Sequence, residues 1–175
     1  RPFFTPGYDP ALALLHGTRI QSFDTPGGAY PDADAEDAFA SDTGEIVWRD
    51  GPQGLVTVDT NRSQALIGFV GEVDTPLKNF AAAVENEFCS IVLTSLNEEP
   101  ISRANRLLLV TTARCANAGM QWTDDRTSLT DWGAAPTVIE PVKGHILLRN
   151  LRAAELIEAV PLNGGAKPLG DPIRA

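Results

Sequence analysis

The sequence predicts an all-β chain: an antiparallel β-sandwich, jelly-roll-like, with an irregular N-terminal arm that carries one short helix. Three observations lead there. From Glu45 onward the chain is a succession of short β-rich runs bounded by turn residues. Little in that stretch has helical periodicity. Residues 1–44, by contrast, are dominated by Pro, Gly, Asp and Ala. With 175 residues, the chain can bury about 70% of the surface its unfolded form exposes, so folding requires neither a metal nor a disulfide.

The arm comes first. Asp9 suits a helix N-cap, Pro10 the first helical position and Gly17 the terminator. The helix over ALALLH would make about two turns, too short to stand unless docked. TRIQSF reads as a short strand, and PGGAYPDADAEDAFASD as an exposed acidic loop. The arm as a whole reads as a connector to another domain, and the start at Arg1 as that of a mature chain or an excised piece. The expected division is arm 1–44 and β-sandwich 45–175.

The β region follows. EIVW places Trp48 on the same face as Ile46, which predicts a core tryptophan. GLVTVD puts Leu55, Thr57 and Asp59 on one face and Val56 and Val58 on the other. QALIGFVG is more fully apolar, and LKNFAAAV fits either a strand or a helical turn. FCSIVLTSL and RLLLVTTARC are the strongest strands and predict a hairpin around NEEPISRAN. TVIEPV and HILLR predict a second pair joined through Lys143–Gly144. ELIEAVPL and the turn NGGAKPLG close the chain.

The two cysteines, Cys89 and Cys115, lie in the predicted hairpin. A register placing Leu93 opposite Thr111 would set them face to face, within reach of a cross-strand disulfide. Two buried thiols are the other state the sequence allows.

Net charge is −9 and the pI about 4.6. This argues against a phosphate-binding surface built on clustered Lys and Arg, so neither nucleic acid nor an anionic membrane is an expected partner. A neutral glycan remains compatible. No apolar run approaches the roughly 20 residues of a membrane span. Metal-ligand spacings such as CxxC and HxxxH are missing, as are GxSxG, Walker A, dinucleotide-binding and EF-hand motifs. His16 and His145, the only histidines, have no neighbouring nucleophile motif. No catalytic residue, metal site or cofactor is expected, with calcium at the acidic turns of Asp59 and Asp124 as the one weak candidate.

The densest polar segment is GMQWTDDRTSLTDWG, 119–133. Trp122 and Trp132 could offer flat apolar platforms to sugar rings, and Asp124, Asp125, Arg126 and Asp131 could bond the hydroxyls around them. In the alternative, both tryptophans plug the end of the sandwich and Arg126 ties down the acids. A second segment, VDTNRSQA, places Asp59, Thr60 and Arg62 at a strand-to-strand corner, where short polar side chains satisfy local amides. A stand-alone glycan hydrolase would need two carboxylates about 5–9 Å apart. Glu98, Glu99 and Glu140 are the acids such a reading would draw on.

Three segments also resemble a known family. TGEIVW (43–48), TVDTNRSQA (57–65) and the strand running into GMQW (119–122) resemble, in order, the C-terminal β-sandwich region that follows the barrel of certain bacterial glycoside-hydrolase-like proteins. The resemblance spans roughly Ser41 to Arg149. It implies an accessory module of a polysaccharide-degrading enzyme, secreted or periplasmic, that binds a polysaccharide or oligosaccharide weakly or buttresses a catalytic barrel outside this chain. A purely structural docking domain is the alternative. The family's hydrolytic acids belong to the barrel, so no catalytic residue carries over.

Overall fold

The structure, a computed structural model, describes residues 38–49, 54–72, 76–152 and 154–174, together with Ala13, His16, Gly17 and Arg19. Apart from those single residues, the helix expected over ALALLH, the TRIQSF strand and most of the acidic loop lie outside the described residues.

The described chain is all-β, and every strand pair in it is antiparallel. Its centre is a six-stranded sheet in the order β1 (Ala38–Ala40), β2 (Ile46–Arg49), β3 (Leu55–Asp59), β4 (Ser63–Gly68), β6 (Cys89–Ser95) and β7 (Leu107–Thr112). A 3-10 turn, Val70–Glu72, follows β4. β5 (Phe80–Val84) leaves the sheet and pairs with β12 (Gly144–Leu148) in a separate ribbon. The sheet already takes in β1, ahead of the boundary expected at Glu45.

Side-chain alternation explains which face is covered. In β6 every second residue is buried, Cys89, Ile91, Leu93 and Ser95. Ladder pairing puts Leu55, Thr57, Leu66 and Gln64 on that same face. The β5–β12 ribbon supplies the opposing layer through Phe80, with Ala82, Val84, Ile146 and Leu148 packed against the cluster. Val70, Leu77 and Ile101 fill the ends. Each fully buried large apolar side chain contributes about 1.5–3 kcal/mol. The sandwich is thus asymmetric, six strands against two.

The corner segment joins the layers. Thr60 closes the β3–β4 turn, its hydroxyl donating to the Ser63 carbonyl at 2.8 Å and accepting from the Ser63 N–H at 2.9 Å. Asp59 accepts from Gln64 Nε2 at 2.8 Å and from the Lys78 N–H at 3.2 Å. Gln64 is fully buried, and its Nε2 also donates to Asn79 Oδ1 at 3.0 Å. Asn79 in turn donates through Nδ2 to the Arg149 carbonyl, and the Arg149 guanidinium donates to the Leu77 carbonyl. Arg62 reaches across to the Asn97 carbonyl at 2.9 Å. The start of β5 and the end of β12 are therefore tied to the β3–β4 turn by side-chain bonds.

Three expectations change. TVIEPV and HILLR do not pair with each other: β11 (Ala134–Ile139) pairs with β8 (Cys115–Ala118), and β12 with β5. Pro141, which has no N–H to give a ladder, stands between them. By Lys143 the chain has already joined the ribbon, its carbonyl accepting from the Glu85 N–H. Gly144 makes the close pairing with β5 feasible, because a Cβ there would overlap the Ala83 carbonyl and sit 2.6 Å from Val84 Cα. The cysteines are not face to face either. Leu93 pairs with Leu109 and not with Thr111, a shift of two residues. The strand also breaks after Thr112, so Cys115 departs in β8 opposite Ile139 while Cys89 pairs with Gly68. Both thiols are free, Cys89 buried and Cys115 exposed. Finally, Trp48 lies on the outer face of the sheet, half-buried and stacked on Phe39 at 5.1 Å.

Candidate functional site

The segment 119–133 is the outer end of a long β-hairpin and not an irregular loop. β8 and β11 form its base, and β9 (Gln121–Trp122) pairs with β10 (Leu129–Asp131) beyond them. The two strands do not match in length: Ala134 and Thr137 pair with Ala118 and Asn117, leaving Ala135 and Pro136 as extra residues in β11. Pro136 sits in that irregularity, where its missing N–H interrupts no ladder pair.

Asn117 clamps the neck. Its Nδ2 donates to the Trp132 carbonyl at 3.1 Å, and its Oδ1 accepts from the Thr137 hydroxyl at 2.7 Å. Gly133 adopts a left-handed backbone (φ 66°) here, where a Cβ would press on the Met120 amide and the Ala118 carbonyl. Asp131 Oδ1 accepts from the Gly133 N–H at 2.8 Å.

The tip is closed by Asp125. Its carboxylate accepts from the Thr123 hydroxyl at 2.6 Å, the Thr127 N–H at 3.1 Å and the Thr127 hydroxyl at 2.9 Å. The Thr123 hydroxyl, followed by the Thr127 N–H and hydroxyl, holds the Asp125 pKa below its ordinary value, because all of them favour the charged form. Arg126 occupies the left-handed region (φ 54°) at the turn.

All six candidate contact residues therefore converge on one hairpin end. Trp122 is 50% exposed and Trp132 72% exposed, so neither plugs the sandwich. Their rings do not stack on one another; the aromatic pairs among the described residues are Phe39–Trp48 and Phe69–Phe88. Two of the acids, Asp125 and Asp131, are engaged in shaping the tip. Asp124 and Arg126 carry no such bond, and Arg126 makes no ion pair among the described residues, so these two side chains can bond a ligand. The same hairpin thus carries two exposed indoles, Trp122 and Trp132, and two uncommitted polar side chains, Asp124 and Arg126, at a turn stiffened from within.

The other acids are dispersed. Glu98 and Glu99 lie in the β6–β7 connection, with Glu99 paired to Arg103 at 3.4 Å. Glu140 is exposed just after β11 and accepts from Asn86 Nδ2 at 2.8 Å. Asp59, Thr60 and Arg62 are occupied by the corner network. No group of three or more His, Cys, Asp or Glu side chains suited to a metal occurs among the described residues, including around Asp59 and Asp124.

Sequence reasoning missed the residues that make this frame. Gln64 sits between Ser63 and the apolar run Ala65–Ile67, and a polar residue at a core-facing strand position was the available signal. For Asn79, Asn86 and Asn117 no such signal exists, because each bonds to residues far away in sequence or across a hairpin. No family model matches the chain, and neither a curated protein nor a solved structure is significantly similar to it.

Proposed function

We propose that this chain is a non-catalytic binding module whose hairpin tip contacts glycan, and that it serves as the accessory part of a polysaccharide-degrading protein. The observation that carries the reading is the exposure of Trp122 and Trp132 on one self-braced hairpin end. An indole left in water at the end of a rigid projection is suited to a sugar's apolar face. Asp124 and Arg126 can then bond the ring hydroxyls. The acidic surface favours a neutral polymer over an anionic one. The resemblance of the TGEIVW and TVDTNRSQA segments to a glycoside-hydrolase-associated sandwich supports the same reading, with secretion or a periplasmic location as part of the proposal.

Tryptophan fluorescence during titration with soluble glucans, xylans and mannans tests this. A saturable shift is expected, lost in Trp122→Ala or Trp132→Ala while the protein remains folded. Trp48, half-buried and stacked on Phe39, remains as an internal reference. The absence of a shift with every glycan would overturn the reading.

A second reading has its own observation. The base of the same hairpin exposes Val138 (55%) and Ile139 (72%), one on each face of the ribbon, as apolar surface with no role in sugar contact. A structural domain that docks on a neighbouring catalytic domain would use such a surface. Substitution of Ile139 by Asp would then weaken attachment to that domain and leave glycan titration unchanged.

A further inference from the structure

We propose that β7 is a strand-addition site, taking an extended segment of a partner protein with alternating apolar residues and carboxylates at its ends. β7 is the last strand of the six-stranded sheet. The Leu96 N–H bonds the Arg106 carbonyl at 3.0 Å, which fixes the phase of the β6–β7 ladder. Residues 106, 108, 110 and 112 turn their backbone groups toward β6, so Leu107, Leu109 and Thr111 turn theirs to the open edge. No described residue pairs with them, and a row of unpaired donors and acceptors is a template for another strand.

The two edges of the sheet are built differently. β1 has only three residues and is bracketed in sequence by Asp37 and Asp42, the usual protection of an edge. β7 has six residues, LLLVTT, without a charge, a proline or a bulge. Its side chains are open on both faces of the sheet: Leu109 is 44% exposed on the core-side face and Val110 42% on the outer face. An added strand would cover both.

Charge selects the partner. Arg106 and Arg114 flank the strand in a protein of net charge −9. Arg106 is exposed and has no ion pair among the described residues, while Arg114 lies 3.8 Å from Glu87. A second copy is disfavoured, because two-fold pairing centred on Leu109 sets each Arg106 diagonally against the other copy's Arg114. His16 bonds Asp42 at 2.8 Å beside β1, five strand spacings or roughly 24 Å from β7.

The probe is a labelled seven-residue peptide of alternating Val and Thr with Asp at each end, titrated into the whole chain and followed by fluorescence anisotropy. Saturable binding is expected. Leu109→Pro, which removes one outward N–H and none of the bonds to β6, should weaken it at least tenfold. Arg106→Glu should weaken it similarly and transfer preference to the same peptide with Lys ends, a switch that a merely damaged fold would not produce. Trp122→Ala should leave it unchanged, so failure of the glycan reading and failure of this one are separable. Absence of binding to either peptide, or binding indifferent to both β7 variants, would overturn the proposal. So would concentration-dependent dimerisation of the unmodified chain abolished by Leu109→Pro, which would assign the edge to a second copy.

Discussion

Gln64 and Asn79 hold each other in a closed ring across the two layers. Gln64 Nε2 donates to Asn79 Oδ1 at 3.0 Å, and the Asn79 N–H donates back to Gln64 Oε1 at 3.0 Å. Both residues are buried, so nothing else can satisfy these groups once one partner is lost. Gln64→Ala leaves the Asn79 N–H without its acceptor and Asn79 Oδ1 without its donor. Each buried unsatisfied group costs about 1–3 kcal/mol. A loss of unfolding free energy of that size, seen as a lower urea midpoint with unchanged slope, is expected. A change below about 0.5 kcal/mol would mean that water replaces the side chain.

Ile101 sits in the β6–β7 connection yet has no exposed surface, and its N–H bonds the Asn61 carbonyl at 2.9 Å. It acts as a plug that joins this connection to the corner. Ile101→Ala should cost about 2–5 kcal/mol. Trp132→Ala, a much larger truncation at an exposed position, should stay within about 0.5 kcal/mol. Reversal of that order in thermal unfolding would show that the hairpin end is packed in solution.

The thiols should react very differently. Burial raises the Cys89 pKa, and the nearby negative charge of Glu140 raises it further, so little nucleophilic thiolate is available. Cys115 is exposed. One equivalent of a chromogenic disulfide reagent should react promptly at pH 8, and the second only on unfolding. Cys115→Ser should abolish the prompt phase. Prompt reaction of both thiols, or of neither, would contradict this geometry.

Asp125 predicts a pH response confined to the hairpin tip. Its folded-state pKa lies below the ordinary value, so its contribution is present above the unfolded value, about 3.9, and is lost as pH falls through the folded one. A pH titration of the Asp125 carboxyl followed by NMR should give a midpoint below the ordinary aspartate value. Thr123→Val removes the leading hydroxyl donor and should raise that midpoint. A midpoint at the ordinary value in the unmodified chain would refute the network around Asp125.

Period-two alternation made most of the fold legible. LVTVD and CSIVLTS declare their buried faces residue by residue, and both became strands of the central sheet. The errors lie where partners are chosen non-locally. Nothing in TVIEPV or HILLR says that one pairs with β8 and the other with β5, because both are apolar enough to suit either neighbour. Cys115 was misplaced because Ala113–Arg114 interrupts a run that reads as one continuous strand. At the candidate site, residue types were readable but their states were not. Trp122 and Trp132 are of a type that cores and binding faces both use, and only the hairpin's projection makes them exposed. Asp125 and Asp124 are neighbours of one type, and only the Thr123 and Thr127 hydroxyls commit one and leave the other unbonded.

The pairing of β5 with β12 also governs when the protein can finish folding. Phe80, the largest fully buried side chain, meets Leu148 across that ladder, about 70 residues later in the chain. β2, β3 and β4 are neighbours in sequence and can pair as soon as they emerge, whereas the ribbon that caps the core must await its second strand. At synthesis rates of about 5–20 residues per second, the nascent chain carries an uncovered apolar layer for roughly 3–14 s. During that interval the half-built core is exposed to other chains, so recovery of soluble protein should depend on chaperone supply more steeply than the final stability would suggest.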